Sequence, residues 1–190
     1  MAKRVCPYWV GYILASPLRR LLHNPDRILA SHVGSGMTVL EVGPAMGFFT
    51  LPIARMVGPD GQVVCVDLQA KMLQALRKRA AAAGLSDRIV AHVCQPSSLG
   101  VEDFAGRIDF ALAFFVVHEL PDAPRFFVEV SEALKPAGRC LVAEPKGHVS
   151  VQEFEGMLAA AAQAGMRAIE RPDIVRCRAA LLTKEDPGHC

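Results

Sequence analysis

The sequence predicts a doubly wound α/β domain built on a seven-stranded, mostly parallel sheet with an antiparallel last strand. Three observations predict it. Short β-branched, apolar runs alternate with stretches of helical periodicity from Thr38 to Thr183. Those runs are continuously apolar instead of alternating with polar residues, which suits strands covered on both faces. The final two runs, near 167–174 and 175–183, are joined too tightly for a crossover helix and must pair antiparallel.

Taken in order, residues 7–32 read as helical in two pieces, with Pro17 breaking the first. Asn24 followed by Pro25 is an N-cap and a first-turn proline. Thr38–Val42 is the first strand, residues 47–57 a helix opened by Gly47, and Gln62–Val66 the second strand. Residues 70–83 form a helix with Met72, Leu73, Leu76 and Ala80 on one face and Gly84 as its stop. Strands follow at 89–94 and 108–114. Asp122 caps a helix carrying Phe126, Phe127, Val130 and Leu134. Pro136-Ala137-Gly138 turns into a fifth strand at 139–143, and 152–164 is the last helix. The domain boundaries read as an N-terminal helical lid segment over 1–32, the sheet domain over 33–184 and a flexible polar tail over 185–190.

Bulk properties narrow the function classes. The chain has 190 residues, 52% of them hydrophobic and 21% charged, so it buries a sizeable core and is not a disordered chain. A net charge of +2 without a Lys/Arg run does not call for a nucleic acid. The apolar stretch from Val5 to Ala15 is too short to span a bilayer. Pro7, Gly11 and its aromatic character argue against a cleaved signal, although Arg19 and Arg20 beside it would also suit a helix lying on a membrane surface. The six cysteines, Cys6, Cys65, Cys94, Cys140, Cys177 and Cys190, include no C-x-x-C pair. Four of them lie in or beside apolar runs, as core thiols of a cytoplasmic protein would; a metalloid-binding set including Cys6 is the alternative.

In an open α/β sheet, ligands bind beyond the carboxyl ends of the strands, so the informative residues follow each strand. After the first comes Glu41-Val-Gly43-Pro44-Ala45-Met-Gly47. Gly43 allows a tight turn beside a ligand, and Gly47 opens a helix whose N-terminal amides can meet a carboxylate. Asp67 closes the second strand, twenty residues beyond Gly47. A carboxylate there can accept both hydroxyls of a ribose.

These residues carry a resemblance. V-L-E-V-G-P-A-M-G-F-F-T (39–50) resembles motif I of class I S-adenosylmethionine (SAM)-dependent methyltransferases, and V-V-C-V-D (63–67) their second motif. F-F-V-V-H-E-L-P-D (114–122) and L-K-P-A-G-R-C-L-V (134–142) are similar to the corresponding segments of the ubiquinone-biosynthesis-like branch. The resemblance spans roughly 36–183 and implies the Rossmann-like methyltransferase fold with SAM as cofactor. It implies that Glu41 helps to hold the methionine amino group, that Gly43, Pro44, Ala45 and Gly47 bring the backbone close to the cofactor, and that Asp67 binds the ribose. It places Leu68 and Met72 beside the adenine, and Phe114 and Phe115 on the methionine and acceptor side. Two departures stand out: Ala45 replaces the middle glycine, and Gln95-Pro96 replaces the usual acidic residue after the third strand. Gln95 can still meet the adenine amino group, but Pro96 has no N–H to offer.

The implied activity is methyl transfer to a small, partly apolar acceptor, without nucleic acid, integral membrane segment or metal. Ala113-Phe-Phe-Val116 lacks the Asp/Asn-Pro-Pro-aromatic pattern of amino-methylating nucleic-acid enzymes. Methyl transfer from a sulfonium needs alignment and exclusion of water above all. Where the acceptor must lose a proton, His118 is the candidate base, ahead of Glu119, His148 and Tyr8. Tyr8, Trp9 and Tyr12 are expected to face the acceptor from the lid, with Phe115 and His118 opposite. The competing classes are a non-catalytic SAM-binding protein or partner subunit and a nicotinamide-dependent oxidoreductase. The latter fits less well, since the turn reads G-x-x-x-G and no second domain holds a substrate.

Overall fold

The computed structural model of the chain describes residues 16–185. It contains seven strands: β1 (Thr38–Val42), β2 (Gln62–Asp67), β3 (Ile89–Val93), β4 (Ile108–Phe114), β5 (Leu134–Pro145), β6 (Met166–Glu170) and β7 (Cys177–Lys184). Five helices accompany them: α1 (Pro25–Leu29), α2 (Thr50–Met56), α3 (Ala70–Ala82), α4 (Ala123–Ala133) and α5 (Val151–Gln163). The strands form one sheet in the order β3-β2-β1-β4-β5-β7-β6. β1 and β3 flank β2 in parallel, and β4 runs parallel to β5. β7 lies antiparallel between β5 and β6, as the short connection before it requires.

The chain divides into two compact units, one ending at Cys94 and the other beginning at Gln95. In the first, Val39, Leu40, Val63, Val64, Cys65 and Val66 are essentially without exposure, and Leu73 and Leu76 of α3 are equally buried. In the second, Phe110, Leu112, Leu141 and Val142 of the strands are buried, as are Phe127 and Val130 of α4. Continuous apolar runs therefore mark the inner strands, as expected. The edges differ: β3 leaves Val90 and Val93 exposed with its other residues half-buried, and β6 is exposed beyond Met166.

Several expectations need correction. Pro17 opens a short 3-10 turn, Pro17–Leu21, capped by the Ser16 hydroxyl, while the helical piece expected before it lies outside the described residues. A proline at the first turn has no N–H to lose. Gly47 does not open the following helix, because it sits at φ +86° and α2 starts only at Thr50. Leu134 belongs to β5, not to α4. The Pro136–Gly138 turn is a bulge inside that strand: the register jumps from Ile108↔Leu134 to Phe110↔Arg139, with Ala137 at φ +57°. β6 is shorter than the expected 167–174 run. The Asn24 and Asp122 caps form as expected. Ser150 and Glu153 make a reciprocal capping box that starts α5 at Val151.

Cys65, Cys94, Cys140 and Cys177 are all buried free thiols; Cys6 and Cys190 lie outside the described residues. Burial pushes the Cys65 thiol far up, helped by the nearby Glu41, and pushes Cys140 up to about 12. Since the thiolate is the reactive form, these four should label slowly with a maleimide at pH 7.5 and rapidly only after unfolding. Fast labelling of any of them in the folded protein, located by mass spectrometry, would contradict this placement.

Candidate functional site

In the first unit the site residues follow from the shape of the β1–α2 connection. β1 ends at Val42, and the chain then passes through three left-handed positions: Gly43 at φ +71°, Ala45 at +49° and Gly47 at +86°. Two of its amides are engaged within the unit, Gly43 N–H donating to the Val66 carbonyl and Gly47 N–H to the Pro44 carbonyl, each at 2.9 Å, and Ala45 takes a left-handed position although it carries a β-carbon. An L-residue in that region costs on the order of 1 kcal/mol, so the loop keeps the family conformation under some strain.

Side chains hold this loop from three directions. Thr50, the first residue of α2, donates its hydroxyl to Glu41 Oε2 at 2.6 Å. Arg79 of α3 reaches back to donate to the Met46 carbonyl at 2.5 Å. The Arg19 guanidinium lies 4.6 Å from the Phe48 ring centroid, close enough for a cation–π contact, and so ties the N-terminal segment to the turn.

Glu41 is buried at 3% exposure. Burial raises its carboxyl to about 7, and Asp67 nearby adds to this, against lowering by the Thr50 hydroxyl and by Arg19. Its carboxylate therefore points into the interior, and its connection to the loop runs through Thr50. Met72 is buried as well, on the inner face of α3, while Leu68 is half-buried.

Asp67 ends β2 with Oδ1 accepting from the Gln69 N–H at 2.8 Å. A carboxylate has about four acceptor directions, so this cap is compatible with a bound diol. A left-handed turn after β1 and an acid at the end of the neighbouring β2 are a set that fits SAM. Gly47, by contrast, is a packing glycine. A β-carbon there would stand 2.5 Å from Leu76 Cδ1.

In the second unit, Gln95 is exposed and its backbone exchanges hydrogen bonds with Ser98, making a small turn around Pro96. Phe114, the last residue of β4, is buried. Phe115 is half-buried at φ +64°, with the two rings 4.6 Å apart. A bulky residue in the left-handed region is uncommon and marks a constrained site. It redirects the chain into a 3-10 turn, Val117–Glu119. There His118 Nδ1 meets Glu144 Oε2 at 2.5 Å, and Glu144 Oε1 accepts from the Val117 N–H at 2.8 Å. Glu144 is fully buried in β5, and the His118 side chain is 19% exposed. The His148 ring lies 5.9 Å from that of His118.

The structure thus groups Glu41, Gly43, Pro44, Ala45, Gly47, Asp67, Leu68 and Met72 in one unit, and Gln95, Phe114, Phe115 and His118 in the other. Tyr8, Trp9 and Tyr12 lie outside the described residues. Sequence reasoning missed Thr50, Arg79 and Glu144. For Glu144 a signal existed, an acid directly after the apolar run Cys140–Ala143, at a strand end like Asp67.

A family model described as "Methyltransferase domain" matches residues 34–186. Among curated relatives, the "Ubiquinone/menaquinone biosynthesis C-methyltransferase UbiE" of Hahella chejuensis is 32% identical over 114 residues, 60% of this chain and 45% of that protein. The "Arsenite methyltransferase" of Halobacterium salinarum is 28% identical over 121 residues, 64% of this chain and 30% of that protein. The chain thus spans less than half the length of these relatives. Among solved structures, a SAM-dependent methyltransferase from Aquifex aeolicus superposes with a TM-score of 0.84 at 22% identity, covering 95% of this chain and 100% of that one. With the family model over most of its length, the chain belongs to the methyltransferase-domain family, with the fold of the class I, SAM-dependent methyltransferases.

Proposed function

We propose that this chain transfers the methyl group of SAM to a small, partly apolar acceptor of the hydroquinone type. The observation that carries the cofactor half is the left-handed 43–47 loop together with Asp67 at the next strand end, in one compact unit. The acceptor half rests on the similarity to ubiquinone and menaquinone methyltransferases and on the aromatic Phe114–Phe115 pair that precedes His118 in the chain.

SAM supplies a methyl group on a sulfonium whose departure leaves a neutral thioether. The protein's part is then holding, aligning and drying. Asp67 would accept from the ribose hydroxyls, the 43–47 loop would hold the amino-acid end, and Glu41 ties the end of β1 to the start of α2 through Thr50. Phe114 and Phe115 offer apolar surface to an aromatic ring, and His118 stands ready for a proton.

Asp67 gives the direct test. Asp67→Ala should weaken S-adenosylhomocysteine binding by about 1–3 kcal/mol, because charge-assisted hydrogen bonds are lost. Asp67→Asn keeps an oxygen for the Gln69 N–H and so separates charge from the cap. Calorimetry showing unchanged affinity for both variants would remove Asp67 from the site. Turnover is then assayed with labelled SAM on 1,4-dihydroxynaphthalene and on arsenite. Binding without transfer to either would favour a non-catalytic SAM-binding role.

A further inference from the structure

We propose that Glu144 is the positioning residue of a carboxylate–imidazole pair. It fixes the His118 tautomer so that Nε2 takes a proton from the acceptor, and it thereby selects acceptors that must lose one. The proposal deepens the methyl-transfer reading above and rests on it for the substrate.

The argument begins with burial. Glu41 and Glu144 are the two acidic side chains buried among the described residues. Glu41 is accounted for by the loop it braces, whereas Glu144 serves the segment after β4. A carboxylate without solvent is costly unless its oxygens are satisfied, and here each oxygen has a named partner. Oε1 takes the Val117 N–H, and Oε2 takes His118 Nδ1. Both contacts bind the same 3-10 turn, so the carboxylate fixes the backbone and the ring together.

The donor and acceptor roles follow from this. A carboxylate only accepts, so Nδ1 carries the hydrogen and Nε2 carries the lone pair. The imidazole therefore presents a base at Nε2. When it takes up a proton, the adjacent carboxylate stabilises the charge, as in the serine-protease triad. β4 and β5 are parallel, with Phe114 paired to Ala143. Both members of the pair thus stand at the carboxyl ends of neighbouring strands, the edge at which α/β sheets bind ligands. The left-handed Phe115 is the turn that brings His118 to Glu144.

The step balances as follows. The acceptor O–H gives its proton to Nε2 and keeps the bonding pair, which raises the nucleophilicity of the oxygen or, through the ring, of the carbon ortho to it. That pair forms the new bond to the methyl carbon, and the C–S pair departs onto sulfur. The imidazolium later releases the proton to water; on carbon transfer the displaced ring proton leaves by the same route. A nucleophile with a lone pair ready for use, such as trivalent arsenic, needs no such base. The pair therefore favours phenols and enols over metalloids.

Glu144→Gln tests this sharply. The Val117 N–H still demands an oxygen, so the amide oxygen takes that side and the NH2 faces His118. It then donates to Nδ1 and moves the ring hydrogen to Nε2, where the base was. We expect the two-dimensional 1H–15N spectrum of the histidine rings to show His118 with its hydrogen on Nδ1 in the wild type and on Nε2 in the variant. This readout is independent of turnover. Glu144→Gln and His118→Asn should each lower kcat on 1,4-dihydroxynaphthalene by about 10²–10⁴-fold, the range of general-base catalysis, with S-adenosylhomocysteine affinity unchanged. The loss should shrink steadily across ring-substituted naphthols that are already ionised at the assay pH. An Nε2–H tautomer in the wild type, or an equal loss on ionised and un-ionised acceptors, would overturn the pair. Absence of turnover with a correct wild-type tautomer and tight S-adenosylhomocysteine binding would instead fault the acceptor reading.

Discussion

Gly47→Ala is expected to lower the unfolding free energy by about 2–4 kcal/mol and to abolish measurable S-adenosylhomocysteine binding. Two costs combine. At φ +86° an L-residue is strained by roughly 1–2 kcal/mol. The new methyl would also stand 2.5 Å from Leu76 Cδ1. Leu76 is fully buried, so it can retreat only into packed core, and overpacking of that kind costs about 1–3 kcal/mol. Because the loop is held by Arg79 at Met46, a shift at residue 47 moves the backbone that the cofactor needs. Urea denaturation and calorimetry read both effects. The double variant Gly47→Ala/Leu76→Ala should lose less than the sum of the two single changes, since the clash is then absent. Ala45→Gly, two residues earlier at φ +49°, is the control: it should change stability by no more than about 1 kcal/mol, in the stabilising direction, because relief of the β-carbon is partly offset by glycine's entropy. A Gly47→Ala variant of near wild-type stability would show that the clash with α3 is relieved at no cost.

Glu41→Gln should make the protein more stable at pH 8 while leaving it nearly unchanged at pH 5. The folded protein holds the Glu41 proton to about 7, against an ordinary value of 4.5. Between those values the folded state binds more proton than the unfolded chain, so stability falls as pH rises. The contribution is fully present below about 4.5 and lost above about 7. A shift of that size corresponds to about 3 kcal/mol at most. Glutamine carries no charge at any pH and keeps an oxygen for the Thr50 hydroxyl, so its curve lacks this slope. The difference between the two proteins from pH 5 to pH 8 isolates Glu41, because the other groups titrate in both. Parallel curves would mean that the carboxylate is solvated or otherwise paired. Binding of S-adenosylhomocysteine by the same variant, measured at pH 8, separates a direct contact with the methionine amino group from a role through the loop. A direct contact weakens binding with the lost charge, and a brace leaves it intact.

The order of strands and helices, the two parallel stretches and the antiparallel close were all legible in the sequence. These features are local. They depend on apolar runs, on glycines at fixed spacing and on caps such as Asn24 and Asp122, each of which acts over a few residues. The boundaries that failed were those where a neighbour overrides local preference. Gly47 reads as a helix start by spacing, but it sits at φ +86°, where a β-carbon would meet Leu76 of α3, and α2 starts only at Thr50. Pro136-Ala-Gly138 reads as a turn, but pairing of β5 with β4 absorbs it as a bulge.

The sequence by itself determined the order of the elements and the family resemblance, because motif I and the acid after β2 are short local patterns, each read within a single unit. What only the tertiary structure decided was how the buried charges are used. Glu41 and Glu144 look alike as acids near strand ends, yet one meets a hydroxyl nine residues away and the other an imidazole 26 residues away. Spacing along a chain fixes the face and end of an element to which a residue belongs. Whether its carboxylate finds a hydroxyl, an amide or a ring nitrogen is set by the element folded against it. In an interior without water that partner decides which group the acid holds in place.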